Sequence, residues 1–167
     1  MAGAAERVRR GAPHAAWREW LLRWPPPQLA LVLAAFGAAL HLLLWGTAAP
    51  WGRAPLAGVA LVLAGFGWML WALALHRAAG NPIRPTDTPQ VLVDEGPFGY
   101  GRHPMYLGMF VSLAGAALAA GSPSLGVAAA THALLLDTVH VRHEEAQLAA
   151  RFGGWWRDYA ARVRRWL

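Results

Sequence analysis

The sequence predicts an all-α, polytopic transmembrane helical bundle of about four spans, and three observations carry that expectation. The 167 residues are 56% hydrophobic and only 14% charged, which sets the chain apart from soluble globular domains and suits one compact bundle. Long apolar runs alternate with connections marked by proline and glycine. The cations crowd into alternate connections, which is how membrane helices are oriented. One integral membrane domain over residues 1–167 is therefore expected.

Residues 1–24 read as an amphipathic N-terminal segment. Arg7, Arg9, Arg10, Arg18 and Arg23 stand against Glu6 and Glu19, while Trp17, Trp20, Leu21 and Leu22 offer an apolar face suited to a membrane interface. The segment is expected to be retained, because the apolar run after it is of spanning length and no small-residue cleavage site is marked. Pro25, Pro26 and Pro27 end it. Residues 28–76 hold spans one and two. The first is broken only by His41, and at about 1.5 Å per residue it can cross a core of roughly 30 Å. The second is uncharged, with Gly58, Gly65 and Gly67 suited to close helix packing.

Residues 77–103 form a long polar loop in which Pro82, Pro85 and Pro89 forbid a regular helix. Residues 104–152 form a hairpin of spans three and four, with Pro104 in the first turn of its helix and a tight turn at residues 121–124. The helical pattern of span four continues past the apolar run to Phe152 as a cytoplasmic extension, and Gly153 and Gly154 stop it. Residues 153–167 form a basic, aromatic amphipathic tail.

All fifteen basic residues are Arg, and fourteen of them fall in the N-terminal segment, the 77–103 loop and the C-terminal region, leaving only Arg53 opposite. With four spans those three regions share a face, and the bias makes it cytoplasmic. The expected location is a bacterial inner membrane with both termini cytoplasmic. The same distribution accounts for the net charge of +6 without a nucleic-acid partner. Cysteine is absent, which excludes a disulfide framework, a thiolate nucleophile and a Cys-ligated metal.

The stretch with no lipid-solvation rationale is residues 96–108, where glycines, Arg102, His103 and Tyr106 crowd the start of span three. On span four, Asp137, His140, Glu144 and Leu148 recur at three- and four-residue steps, which on a regular helix makes one stripe, with Arg142 and Glu145 beside it. Carboxylates so near the interface need a partner, and Arg102 is the candidate. His140, Glu144 and His103 lack the spacing of a zinc helix, so no metal is expected. Gly99 and Gly101 lack the third glycine and the strand of a dinucleotide-binding turn. His41 and His132 read as hydrogen-bonders between helices, the ten Trp as interface anchors, and Asp137 as either the partner of an Arg or a cavity lining.

Gly96-Pro97-Phe98, then Arg102-His103-Pro104-Met105-Tyr106-Leu107-Gly108, then Glu144-Glu145, Leu148, Phe152-Gly153, Trp156, Tyr159 and Arg162-Val163 form two motifs in order. In these the chain resembles the isoprenylcysteine carboxyl methyltransferase family, which is similar to the phospholipid methyltransferases. The resemblance covers residue 80 to the C-terminus. It implies S-adenosylmethionine bound at the cytoplasmic membrane surface and a lipophilic or small methyl acceptor entering from the bilayer. It assigns His103, Pro104, Tyr106, Leu107 and Gly108 to a first cofactor motif, and Glu144, Glu145, Phe152, Tyr159 and Arg162 to a second.

Methyl transfer from a sulfonium is an in-line displacement that needs orientation and water exclusion. A carboxylate acceptor needs no base; for a protic acceptor the candidates are His103 and Glu144. Arg102 or Arg162 is the candidate for the cofactor carboxylate, and Glu144 or Glu145 for its amine or ribose hydroxyls. Trp156 stands where the family often has Tyr, and the tail is also similar to that of NADPH-dependent membrane sterol and isoprenoid reductases. A reductase of related fold, or a non-enzymatic membrane subunit, is the alternative.

Overall fold

The computed structural model of the protein describes residues 16–82 and 89–167. The expectations for the first fifteen residues and for residues 83–88 of the loop lie outside them. The described chain is all helical, with 76% helix and no strand. In order come α1 (Ala16–Leu22), α2 (Pro26–Trp45), α3 (Pro55–Ala78), a 3-10 turn (Gly96–Gly99), α4 (Pro104–Ala120) and α5 (Pro123–Leu135). A π-helical segment (Leu136–Val141) joins α5 to α6 (Arg142–Phe152), and α7 (Gly154–Arg162) follows. Each of α2 to α5 begins on a proline, whose fixed φ suits the first turn and whose missing N–H removes a donor that would have no partner there.

Among the described residues, three helices are long and apolar enough to cross a membrane: Pro26–Trp45, Pro55–Ala78 and the continuous Pro123–Phe152; α4 is a shorter apolar helix. The helices stand in the spatial order α3, α4, α5, α2. Small residues bring α3 onto α4: a Cβ at Gly58 would lie 2.6 Å from the Gly115 carbonyl oxygen, and one at Gly65 2.6 Å from that of Gly108. Gly67, which the sequence groups with these, faces no atom within 4 Å and takes no part in the contact. Its position, two residues from Gly65, turns it about 200° round the helix. On the other side α5 meets α2 through Ser124, whose hydroxyl donates to the Gly37 carbonyl at 2.7 Å.

Leu31, Phe36 and Leu43 of α2 and Leu56, Leu63 and Phe66 of α3 are exposed, as side chains facing hydrocarbon are. At one end of the bundle the Trp51 and Ala54 amides donate to the Gly121 and Leu118 carbonyls, tying the 46–54 turn to the 121–124 turn. Gly121 is left-handed at φ 63°, the helix-ending geometry that glycine adopts without a Cβ penalty. At the other end α1, the 3-10 turn, α6 and α7 gather. There His132 and His140 of the last long helix donate through Nε2 to the Pro26 and Trp24 carbonyls, at 3.2 Å each.

The regular stripe expected on span four is broken by the π segment. One extra residue in the turn advances everything after it, so that Glu145, not Glu144, stands in line with Asp137. Both carboxylates meet the same side chain, Arg165. His140 leaves the stripe and is buried against Trp24.

Candidate active site

Segment 96–103 is folded by backbone constraints before any side chain acts. Gly96 has a positive φ of 55°, and its missing Cβ leaves room for Leu75 and Trp71 of α3. The 3-10 turn then carries Pro97 and Phe98 inward. At Gly101 a Cβ would overlap the Trp166 carbonyl, so the C-terminal tail lies directly on this residue. The Arg102 amide donates to the Arg164 carbonyl at 3.0 Å, and the Tyr159 hydroxyl to that of Phe98 at 2.8 Å. Burial pushes the Tyr159 phenol well up, which keeps that donor protonated.

Glu145 is the charged centre of the arrangement. It accepts from Arg102 Nη2 at 2.8 Å and from Arg165 Nη2 at 2.6 Å, and His103 Nε2 stands 3.4 Å away. Arg102 Nε also donates to Glu145 at 3.2 Å, and Nη1 bonds the Ala160 and Val163 carbonyls at 2.9 and 3.1 Å, closing the end of α7. The Arg102 guanidinium lies over the Trp156 ring, 5.5 Å from its centroid. Arg165 also reaches Asp137 at 3.5 Å, and the Trp166 indole donates to Asp137 at 3.2 Å. Asp137 is thus the partner of an Arg, one of the two roles open to it in the sequence.

Glu144 has different company. It accepts a hydrogen bond from the Tyr106 hydroxyl, and His103 Nδ1 stands 3.4 Å away, with no arginine in contact among the described residues. His103 is buried between the two carboxylates and stacks on Tyr106 with ring planes 5° apart. Burial opposes its charge, but the pairing with Glu144 and Glu145 outweighs burial and raises its pKa above the usual imidazole range.

These groups border a cavity of about 230 Å³. Met69, Leu73, Met105, Met109 and Leu148 make its wall largely apolar, while Arg102, His103, Tyr106 and Glu144 gather at its polar end. Of the residues expected from the sequence, Arg102, His103, Pro104, Tyr106, Glu144 and Tyr159 line it. Leu107, Gly108, Glu145, Phe152 and Arg162 are not among its lining residues. Gly108 sits in the α3 contact, and Arg162 is exposed and paired with Asp94 at 3.6 Å. Sequence reasoning missed His76, Asn81, Arg165 and Trp166. Nothing in the spacing separates Arg165 from Arg164 or Arg162; only the fold of the tail does. No group of metal ligands forms among the described residues.

A family model described as phospholipid methyltransferase matches residues 54–154, which run from the start of α3 to the start of α7. The chain belongs to the phospholipid methyltransferase family. It is therefore a member of a methyltransferase family with membrane-spanning helices. The match takes in both polar walls of the cavity and leaves outside it Tyr159, Arg165 and Trp166, which the tail adds to the site. Comparisons with curated proteins and with solved structures find no match.

Proposed function

We propose that the protein is an S-adenosylmethionine-dependent methyltransferase that methylates a protic nucleophile on a lipophilic acceptor at the cytoplasmic membrane face. The observation that carries this reading is the contrast between two adjacent glutamates. Glu145 is held by two arginines, whereas Glu144 faces the cavity and, among the described residues, pairs with Tyr106 and His103. The apolar wall suits a hydrocarbon acceptor, and the arginine bias supports the cytoplasmic side.

The donor set fits S-adenosylmethionine. Glu144 offers an acceptor for an amine or for ribose hydroxyls; Phe98, Tyr159 and the methionines offer aromatic and sulfur surface for a base and a sulfonium. When bound, the cofactor supplies an activated methyl group. The chain's own work is to orient, to keep water out and to hold a proton. A hydrogen bond from Tyr106 and the His103 imidazole 3.4 Å away fix the Glu144 carboxylate, leaving lone pairs for an acceptor N–H or O–H. An acceptor carboxylate fits less well, since every Arg102 nitrogen already has a partner and Glu144 would repel it. The likeness to isoprenylcysteine carboxyl methyltransferases therefore supports an isoprenoid-like or other lipid chain more than a carboxyl acceptor.

Calorimetric titration of the detergent-purified protein with S-adenosylmethionine and with NADPH tests the reading. Binding of the first alone is expected. Binding of NADPH alone would turn the reading towards a reductase, and binding of neither would favour a non-enzymatic subunit.

A further inference from the structure

One part of the cavity wall is held by a single side chain that the reading above does not use. α3 ends at Gly80, which has a φ of 75° and donates to the Arg77 carbonyl, and the Asn81 amide donates back to His76. This six-to-one closure is a Schellman motif, and it turns Asn81 inward. Asn81 is only 6% exposed. Its side chain then bridges to residues that follow it by nine and ten positions. Oδ1 accepts from the Gln90 amide at 2.8 Å and the Val91 amide at 2.9 Å, while Nδ2 donates to the Val91 carbonyl at 2.8 Å.

Three bonds from one amide are nearly all that an asparagine can make. A hydrophobic residue of the same volume would give up all three bonds, leaving the exposed Gln90 and Val91 backbone groups to water and this stretch untied from the end of α3. What the bonds hold is the wall itself: Pro82, Pro89, Val91, Leu92 and Val93 border the same cavity as Glu144. His76 adds a bond through Nε2 to the Pro82 carbonyl at 3.0 Å and stacks on Phe98.

We propose that Asn81 is a positioning residue. It clamps the returning chain at residues 90–91 to the end of α3 and so sets the apolar wall against which the bound molecule is held. The wall's effect on ligand affinity rests on the methyltransferase reading; the clamping of the wall does not.

Because the chain has no cysteine, single cysteines report local opening against a clean background. Leu92→Cys on the wall and Ser124→Cys at the far end are alkylated in the folded, detergent-purified protein, each with Asn81 intact or replaced. Asn81→Ala is expected to speed alkylation at position 92 at least tenfold and to leave position 124 unchanged. Asn81→Asp keeps both acceptor bonds and should restore most of the protection; it also serves if the alanine variant does not fold. No acceleration at position 92, or equal acceleration at both positions, would overturn the proposal. In parallel, Asn81→Ala should weaken S-adenosylmethionine binding about tenfold and Asn81→Asp by less. Unchanged affinity in the alanine variant would refute the positioning role. Absence of binding by the wild type would refute the functional reading instead, and the alkylation rates would still decide the clamp.

Discussion

Glu145 accepts charge-assisted bonds from Arg102 and Arg165, so removing it takes the carboxylate from Arg102 and the closer of two carboxylates from Arg165, which keeps Asp137. Breaking one side of a fully buried pair costs about 3–5 kcal/mol; with Arg165 about a third exposed, the lower end of that range is expected for Glu145→Ala. Thermal unfolding in detergent checks it. Glu144→Gln, by contrast, keeps the shape and the acceptor for Tyr106 but loses the base. It should unfold within a few degrees of the wild type and lose about 10²-fold or more in methyl transfer. Equal destabilisation by the two changes would show that the glutamates share one role. His103 supplies a pH test. Its folded pKa is raised, so its contribution to stability is fully present below the unfolded value of about 6.5 and is lost as pH rises through the folded value. Unfolding temperature should fall across that window, and His103→Gln should flatten the fall.

At the scale of elements, the C-terminal tail and the 96–103 segment form one unit. Gly101→Ala forces a methyl into the Trp166 carbonyl and must push the tail away. A stability loss of about 1–3 kcal/mol is expected from such overpacking. Trypsin should also cut faster at Arg164 and Arg165 once their neighbours leave Arg102 and Glu145. An unaltered cleavage rate would mean that the tail does not rest there. Much of this scale was legible in the sequence. The starts of α4 and α5 and the stop at Gly153 follow from proline and glycine, whose backbone limits act locally. The π segment was not legible, because a one-residue widening leaves the hydrophobic pattern of its neighbours intact. It changes which glutamate faces which partner, and only packing reveals that.

For the whole molecule, three membrane-length helices and the shorter apolar α4 make four antiparallel passes among the described residues, which puts α1, the 3-10 turn, α6 and α7 at one end and the 46–54 and 121–124 turns at the other. The proposed orientation assigns the first end to the cytoplasm. In intact cells, Arg53→Cys should react with an impermeant maleimide from outside, whereas Arg142→Cys should react only after permeabilisation. The opposite pattern would invert the topology.

The sequence by itself determined that the chain is a helical bundle with helices apolar enough to cross a membrane, and it singled out two polar stretches whose Arg102, His103 and Glu144 border one cavity. These follow from hydropathy, backbone restrictions and residue types, which are local properties. Tertiary structure decided that Glu145 is neutralised while Glu144 faces the cavity, that Arg162 lies outside while Arg165 lies within, and that Asn81 holds a wall. Those outcomes depend on which groups meet across turns and between elements, at separations from nine residues for Asn81 and Gln90 to 43 for Arg102 and Glu145. Helical periodicity says nothing about such meetings, because it orders residues around one axis and not between axes.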